Sequence, residues 1–107
     1  MIKEISSHQL KTLLAEGAEL VDVREVEEMS EGGISGGKNW PLSTFGLRQK
    51  DVSQKRPTIF YCRSGMRSMK AAEIAANWTA QELYTLQGGI LSYEQQEEER
   101  RAKSQAH

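Results

Sequence analysis

Short apolar runs alternate with helix-spaced apolar positions along this chain, and the alternation predicts strand and helix in turn. Ile2 to Ile5 reads as a first strand. Ser6 or Ser7 can cap the helix that follows, in which Leu10, Leu13 and Leu14 fall at helical spacing and which Gly17 ends. Glu19 to Val23 predicts a second strand, Glu25 to Met29 a short helix, and Gly36 to Trp40 a third strand closed by Pro41. Ser43 to Gln54 is polar and irregular and predicts one or two short helical turns. Thr58 to Tyr61 reads as the central strand. Arg67 to Trp78 reads as the main helix, with alanines that permit close packing on a sheet. Leu83 to Leu86 predicts the last strand, and Gly88 and Gly89 then turn the chain into a final helix that begins near Ile90. Strands alternating with helices indicate the α/β class, a mainly parallel sheet with helices on both faces.

Bulk properties narrow the function. At 107 residues the chain is expected to form one domain, residues 1–107, with a single modest core. The charge run Glu97-Glu98-Glu99-Arg100-Arg101-Ala102-Lys103 reads as the exposed end of the last helix. A formal charge of −1 implies no general attraction to nucleic acid. No run is long enough to span a membrane, and Met1-Ile2-Lys3-Glu4 leads directly into folded sequence, so a reduced, cytoplasmic setting is expected. One cysteine excludes an internal disulfide framework and a cysteine-rich metal site.

That cysteine carries the chemistry. Cys62 follows an apolar strand and opens a basic, Gly-containing loop that runs into a helix. Free N–H groups and the positive end of the helix dipole favour thiolate over thiol there, and Arg63 and Arg67 add to the effect. The same N–H groups can cradle an anion. Against this stands the ordinary reading of a lone cysteine as a small buried hydrophobe. His8 on an exposed helix turn and His107 at the terminus have no metal-ligand company, and neither is placed as a general base. A Cys-His or Ser-His-Asp hydrolase would need one.

Cys62-Arg63-Ser64-Gly65-Met66-Arg67-Ser68 resembles the active-site loop of the rhodanese family of sulfurtransferases, C-R-S-G-x-R-S. Three further segments match in order. Leu20-Val21-Asp22-Val23-Arg24-Glu25 resembles the family's V-D-V-R-E strand. Gly33 to Leu42 resembles its G-H-I-P-G-A-x-N-x-P-L segment, and Leu86 to Tyr93 its L-x-G-G-I-x-x-W. The likeness runs from about residue 3 to residue 96. Gly33 stands where the family has His, Ser35 where it has Pro and Tyr93 where it has Trp. Loss of the His-x-Pro turn makes Glu31 to Gly37, with four glycines, a predicted flexible stretch.

The resemblance implies a rhodanese-like fold of five core strands. It also implies a cofactor-free, metal-free thiosulfate sulfurtransferase. Cys62 would take the sulfane sulfur of thiosulfate as a persulfide and pass it to cyanide or a thiol. A protein persulfide and mercaptopyruvate are the other donors the resemblance allows, and the loop type favours thiosulfate. Backbone N–H groups from Arg63 through Ser68 would stabilise the persulfide as an oxyanion hole does its oxygen. Arg67 would bind the sulfonate end, and Arg63 would steer anions. A surface ion pair with Glu25, Glu27 or Glu28 is the alternative for either arginine. Gly65 would supply a conformation closed to residues with a Cβ, Met66 would rim the pocket, and Ser64 and Ser68 would cap the helix or bond to sulfur. Asp22 and Arg24 would tie loops together as structural support. Trp40, Trp78 and Tyr93 are expected to pack.

Two rivals remain at this point. A phosphatase or arsenate reductase also uses a cysteine in an anion cradle. However, phosphatases of this fold enclose five residues between Cys and Arg, and here Cys62 and Arg67 enclose four. A non-catalytic rhodanese-like regulatory module is the other, although members of that kind can lack the cysteine.

Overall fold

The computed structural model describes residues 1–105. Strands β1 (Ile2–Ile5), β2 (Glu19–Asp22), β3 (Lys38–Asn39), β4 (Thr58–Tyr61) and β5 (Leu83–Leu86) form one sheet in the order β1-β5-β4-β2-β3. Every neighbouring pair is parallel, so the sheet expected to be mainly parallel is wholly so among the described residues. Parallel neighbours need crossovers. Helix α1 (Ser7–Ala15) links β1 to β2, α2 (Leu42–Phe45) lies between β3 and β4, α3 (Met66–Ala75) links β4 to β5, and α4 (Gly89–Gln105) follows the last strand.

The inner strands β2, β4 and β5 are largely buried on both faces, and their alternation divides the core in two. Ile59 and Tyr61 of β4 join Leu10, Leu20, Leu86 and Ile90, on the side covered by α1 and α4. Phe60 and Cys62 join Val21, Val23, Phe45 and the alanines Ala71, Ala72 and Ala75, on the side covered by α2 and α3. Those three alanines are fully buried, and their small side chains let α3 lie close on the sheet. Ser6 caps α1 reciprocally: its hydroxyl accepts the Gln9 N–H at 3.2 Å, and Gln9 Oε1 accepts the Ser6 N–H at 2.8 Å.

Several boundaries differ from expectation. Only Lys38–Asn39 of the third segment pairs as strand. The main helix ends at Ala75 rather than Trp78. The Trp78 N–H bonds Ala75 O at 2.8 Å, which tightens the last turn, and the Asn77 side-chain amide donates to Glu73 O and Ile74 O. Trp78 is therefore 41% exposed instead of packed. Trp40 is buried and stacks on Phe45 with ring centroids 4.6 Å apart, and half-buried Tyr93 packs on the second cluster. The 3-10 segment Val26–Glu31 replaces the short helix expected from Glu25 to Met29.

The glycine-rich stretch after it is anchored at two points. Arg24 Nη2 donates to Gly32 O at 2.5 Å, and the N–H of buried Ile34 donates to the Tyr61 hydroxyl at 3.1 Å. Glu97 bonds Lys11 of α1 and Arg100 of its own helix, and residues 98–104 are exposed. His107 lies outside the described residues. Among the described residues no helix is long and apolar enough to cross a membrane.

Candidate active site

Cys62 leaves the C-terminal end of the central strand, where open parallel sheets place their binding crevices. Its side chain is 1% exposed. The Gly65 N–H donates to Sγ at 3.0 Å, and Ser68 Oγ stands 3.7 Å from Sγ while donating to Gly65 O at 3.1 Å. Burial pushes the Cys62 thiol up, but the backbone N–H groups of Ser68 and Gly65, the Ser68 hydroxyl and the Ser64 N–H outweigh it. The thiol therefore lies below its ordinary value, as an activated nucleophile requires.

The loop can turn its N–H groups inward because its carbonyls have partners elsewhere. Cys62 O accepts the Ile90 N–H at 2.9 Å, and Arg63 O accepts the Leu91 N–H at 3.2 Å, both from the first turn of α4. A Cβ on Gly89 would stand 2.3 Å from Arg63 O, so only glycine allows that approach. Gly65 has φ 109° and serves as the N-cap of α3 with no side-chain bond of its own. The conformation expected of Gly65 is thus present. Neither Ser64 nor Ser68 is the N-cap: Ser68 lies in the first turn, and its hydroxyl donates to Gly65 O with the sulfur 3.7 Å away.

Arg67 is held by Glu28, one of the partners named for it. Its Nη1 and Nη2 meet Glu28 Oε2 and Oε1 at 2.7 and 2.9 Å, a two-pronged pair. Glu28 Oε2 also accepts the Glu25 N–H at 2.9 Å. The Arg67 guanidinium holds the Glu28 carboxyl at about 2, and Arg67 is raised in turn. Arg63 is exposed and makes no ion pair among the described residues.

Asp22 and Arg24 form a buried strut. Arg24 Nη2 meets Asp22 Oδ2 at 2.8 Å, and Asp22 Oδ1 accepts both the Arg24 backbone N–H at 3.0 Å and Nε–H at 3.1 Å. The hydrogen bonds that Arg24 donates to the Asp22 carboxylate raise the Arg24 guanidinium above its ordinary value. Asn39 joins this strut: its amide donates to Asp22 O at 3.0 Å and Arg24 O at 2.8 Å.

A cavity of about 430 Å³ opens beside the loop, lined by Leu42, Ser64, Met66, Arg67 and Lys70. It brings together three residues expected at the site, with Met66 79% exposed at the rim. It adds Leu42 and Lys70, which the sequence did not single out. Lys70 carried a weak signal, since it falls one helical turn after Arg67.

A family model described as the rhodanese-like domain matches residues 6–96. The chain belongs to the rhodanese-like family. The thiosulfate sulfurtransferase GlpE of Ectopseudomonas mendocina is 34% identical over 91 residues, covering 82% of this chain and 81% of that protein. The uncharacterized protein YqhL of Bacillus subtilis is 38% identical over 76 residues, covering 71% of this chain. The chain spans 60% of the length of YqhL. The crystal structure of a rhodanese-like domain protein from Staphylococcus aureus superposes with a TM-score of 0.73 at 29% identity, covering 85% of this chain and 90% of that one.

Proposed function

We propose that this rhodanese-like chain is a thiosulfate sulfurtransferase that works through a persulfide on Cys62. The observation that carries the reading is the buried Cys62 sulfur accepting the Gly65 N–H, with the thiol lowered in spite of burial. In the first half-reaction Cys62 thiolate attacks the outer sulfur of thiosulfate. A bond forms from Sγ to that sulfur, the bond to the sulfonate breaks, and its electron pair leaves with sulfite. A thiol or cyanide then attacks the outer sulfur of the persulfide and releases Cys62 as thiolate. One hard transfer becomes two easier ones. Inward N–H groups suit the negative outer sulfur of the persulfide. Glu28 takes two donors of Arg67, and the remaining donors of the fork bond nothing else among the described residues, which suits them to a sulfonate. A reducing, cytoplasmic setting belongs to the same reading, because the thiol must stay free. The likeness to a thiosulfate sulfurtransferase supports the choice of donor.

Intact mass is the test. Thiosulfate without acceptor should add one sulfur atom to the peptide holding Cys62, and cyanide should remove it as thiocyanate. Cys62→Ser should lose both adduct and turnover, since an unactivated hydroxyl does not replace a polarisable thiolate, while the protein stays folded because a sulfur-to-oxygen swap opens no large cavity. Comparable turnover in Cys62→Ser, or hydrolysis of phosphate esters with no thiocyanate formed, overturns the reading.

A further inference from the structure

The cavity beside the Cys62 loop contains two cations in different states. Arg67 is neutralised by a two-pronged bond to Glu28. Lys70 lines the same cavity, is exposed, and makes no ion pair among the described residues, Glu73 one turn further along α3 included. Arg63 is exposed as well but is not among the lining residues, and buried Cys62 lies behind the Ser64-to-Arg67 loop segment rather than on the cavity wall. The uncompensated positive charge on the cavity wall is therefore that of Lys70. Lys70 follows Met66 by four residues and Arg67 by three, so all three project from one face of α3. Leu42 and Met66 supply apolar walls, and Ser64, Arg67 and Lys70 supply the polar ones.

We propose that Lys70 is a specificity-determining residue that binds the anionic end of the sulfur donor. The proposal rests on the sulfur-transfer reading above and shifts its main electrostatic contact from Arg67 to Lys70. An ammonium carries three donors on a flexible stem and can follow a sulfonate as it turns its outer sulfur toward Cys62. Glu28 makes Arg67 a directional donor of hydrogen bonds with little net charge, and Lys70 provides the field that distinguishes an anionic donor from a neutral one.

Steady-state kinetics with thiosulfate and cyanide test this, with Lys70→Gln, Lys70→Arg and the exposed control Lys55→Gln. Loss of one partly solvated charge at the mouth should raise KM for thiosulfate about five- to tenfold in Lys70→Gln, with kcat within about twofold. Lys70→Arg should recover most of the loss, and Lys55→Gln should match the parent. A second readout needs no turnover. The ratio of Cys62 alkylation rates with iodoacetate and with iodoacetamide, one anionic and one neutral, should fall several-fold in Lys70→Gln, on the order of the KM change. If the parent forms a persulfide but Lys70→Gln keeps its KM, or loses kcat alone, the assignment of Lys70 is overturned and sulfur transfer stands. A parent that forms no persulfide overturns the sulfur-transfer reading itself, and the donor role with it.

Discussion

Two loops leave neighbouring strands of the sheet side by side, Asp22 of β2 being in register with Tyr61 of β4, and they are held by opposite means. The loop after β4 is held by its backbone. Gly65 takes a left-handed turn, the carbonyls of Cys62 and Arg63 are drawn off to α4, and N–H groups are left to face the sulfur. The loop after β2 is held by side chains. Arg24 reaches from buried Asp22 to Gly32 O, Asn39 bridges two strand-end carbonyls, and the Tyr61 hydroxyl takes the Ile34 N–H. An anion cradle needs uncommitted N–H donors, so its shape must come from backbone conformation. A supporting loop has no such requirement, and a single buried cation can organise its carbonyls. The first loop should therefore be sensitive in activity, the second in stability.

The sharpest way to break that division is at Arg24. Arg24→Met removes the only ion-pair partner of Asp22 among the described residues and leaves a carboxylate that is 3% exposed. Stranding a buried charge costs about 3–5 kcal/mol, to be read from the urea midpoint at constant m. A loss below about 1 kcal/mol, the range of an ordinary surface change, would show that the β2 loop is not held by this strut.

Gly65→Ala probes the other side. The new Cβ would sit 3.4 Å from the Gly88 N atom, which is tolerable, but φ 109° is strained for any residue other than glycine. Strain of that kind costs about 1–3 kcal/mol, and relieving it would move the N–H that points at Sγ. Turnover should fall by at least roughly tenfold, up to the roughly hundredfold or more of losing one oriented donor outright, and the Cys62 thiol should titrate higher. Unchanged turnover alongside lost stability would place Gly65 with the supporting elements.

The smallest effect is expected where the two loops meet, at Glu28 and Arg67. Hydrogen bonding from Arg67 holds the Glu28 carboxyl at about 2, below its ordinary value of 4.5. A depressed carboxyl contributes stability that is fully present above 4.5 and lost as pH falls toward 2. Both side chains are partly exposed, so solvent screening limits the contribution to about 1 kcal/mol. Glu28→Gln should be less stable than the parent by that amount at pH 7. The gap should close through the acid limb, as followed by thermal unfolding at stepped pH. A gap that stays constant down to pH 2 would assign the effect to packing.

Much of this molecule is local, and local features were legible in its sequence. β4 and β5 have the expected bounds because each is a short, mostly apolar run between turn signals, β1 has them because Ser6 ends it by capping the next helix, and Ser6 with Gln9 encodes that cap. The Cys62 loop and the conformation of Gly65 are written within seven consecutive residues. The supporting role of Asp22 and Arg24 came from the likeness to the family, and the pair itself is two residues at a strand end. What the tertiary structure decided are the meetings across long separations. Periodicity along a chain has no term for the distance between Glu28 and Arg67, and it offered three glutamates where the fold selects one. The same limit hid the pairing of α4 N–H groups with the Cys62 and Arg63 carbonyls, the Tyr61 hydroxyl under Ile34, and the presence of Leu42 and Lys70 in one cavity. Strand, cap and turn depend on neighbours a few residues away, whereas the charge balance of the site depends on which elements the sheet order brings together.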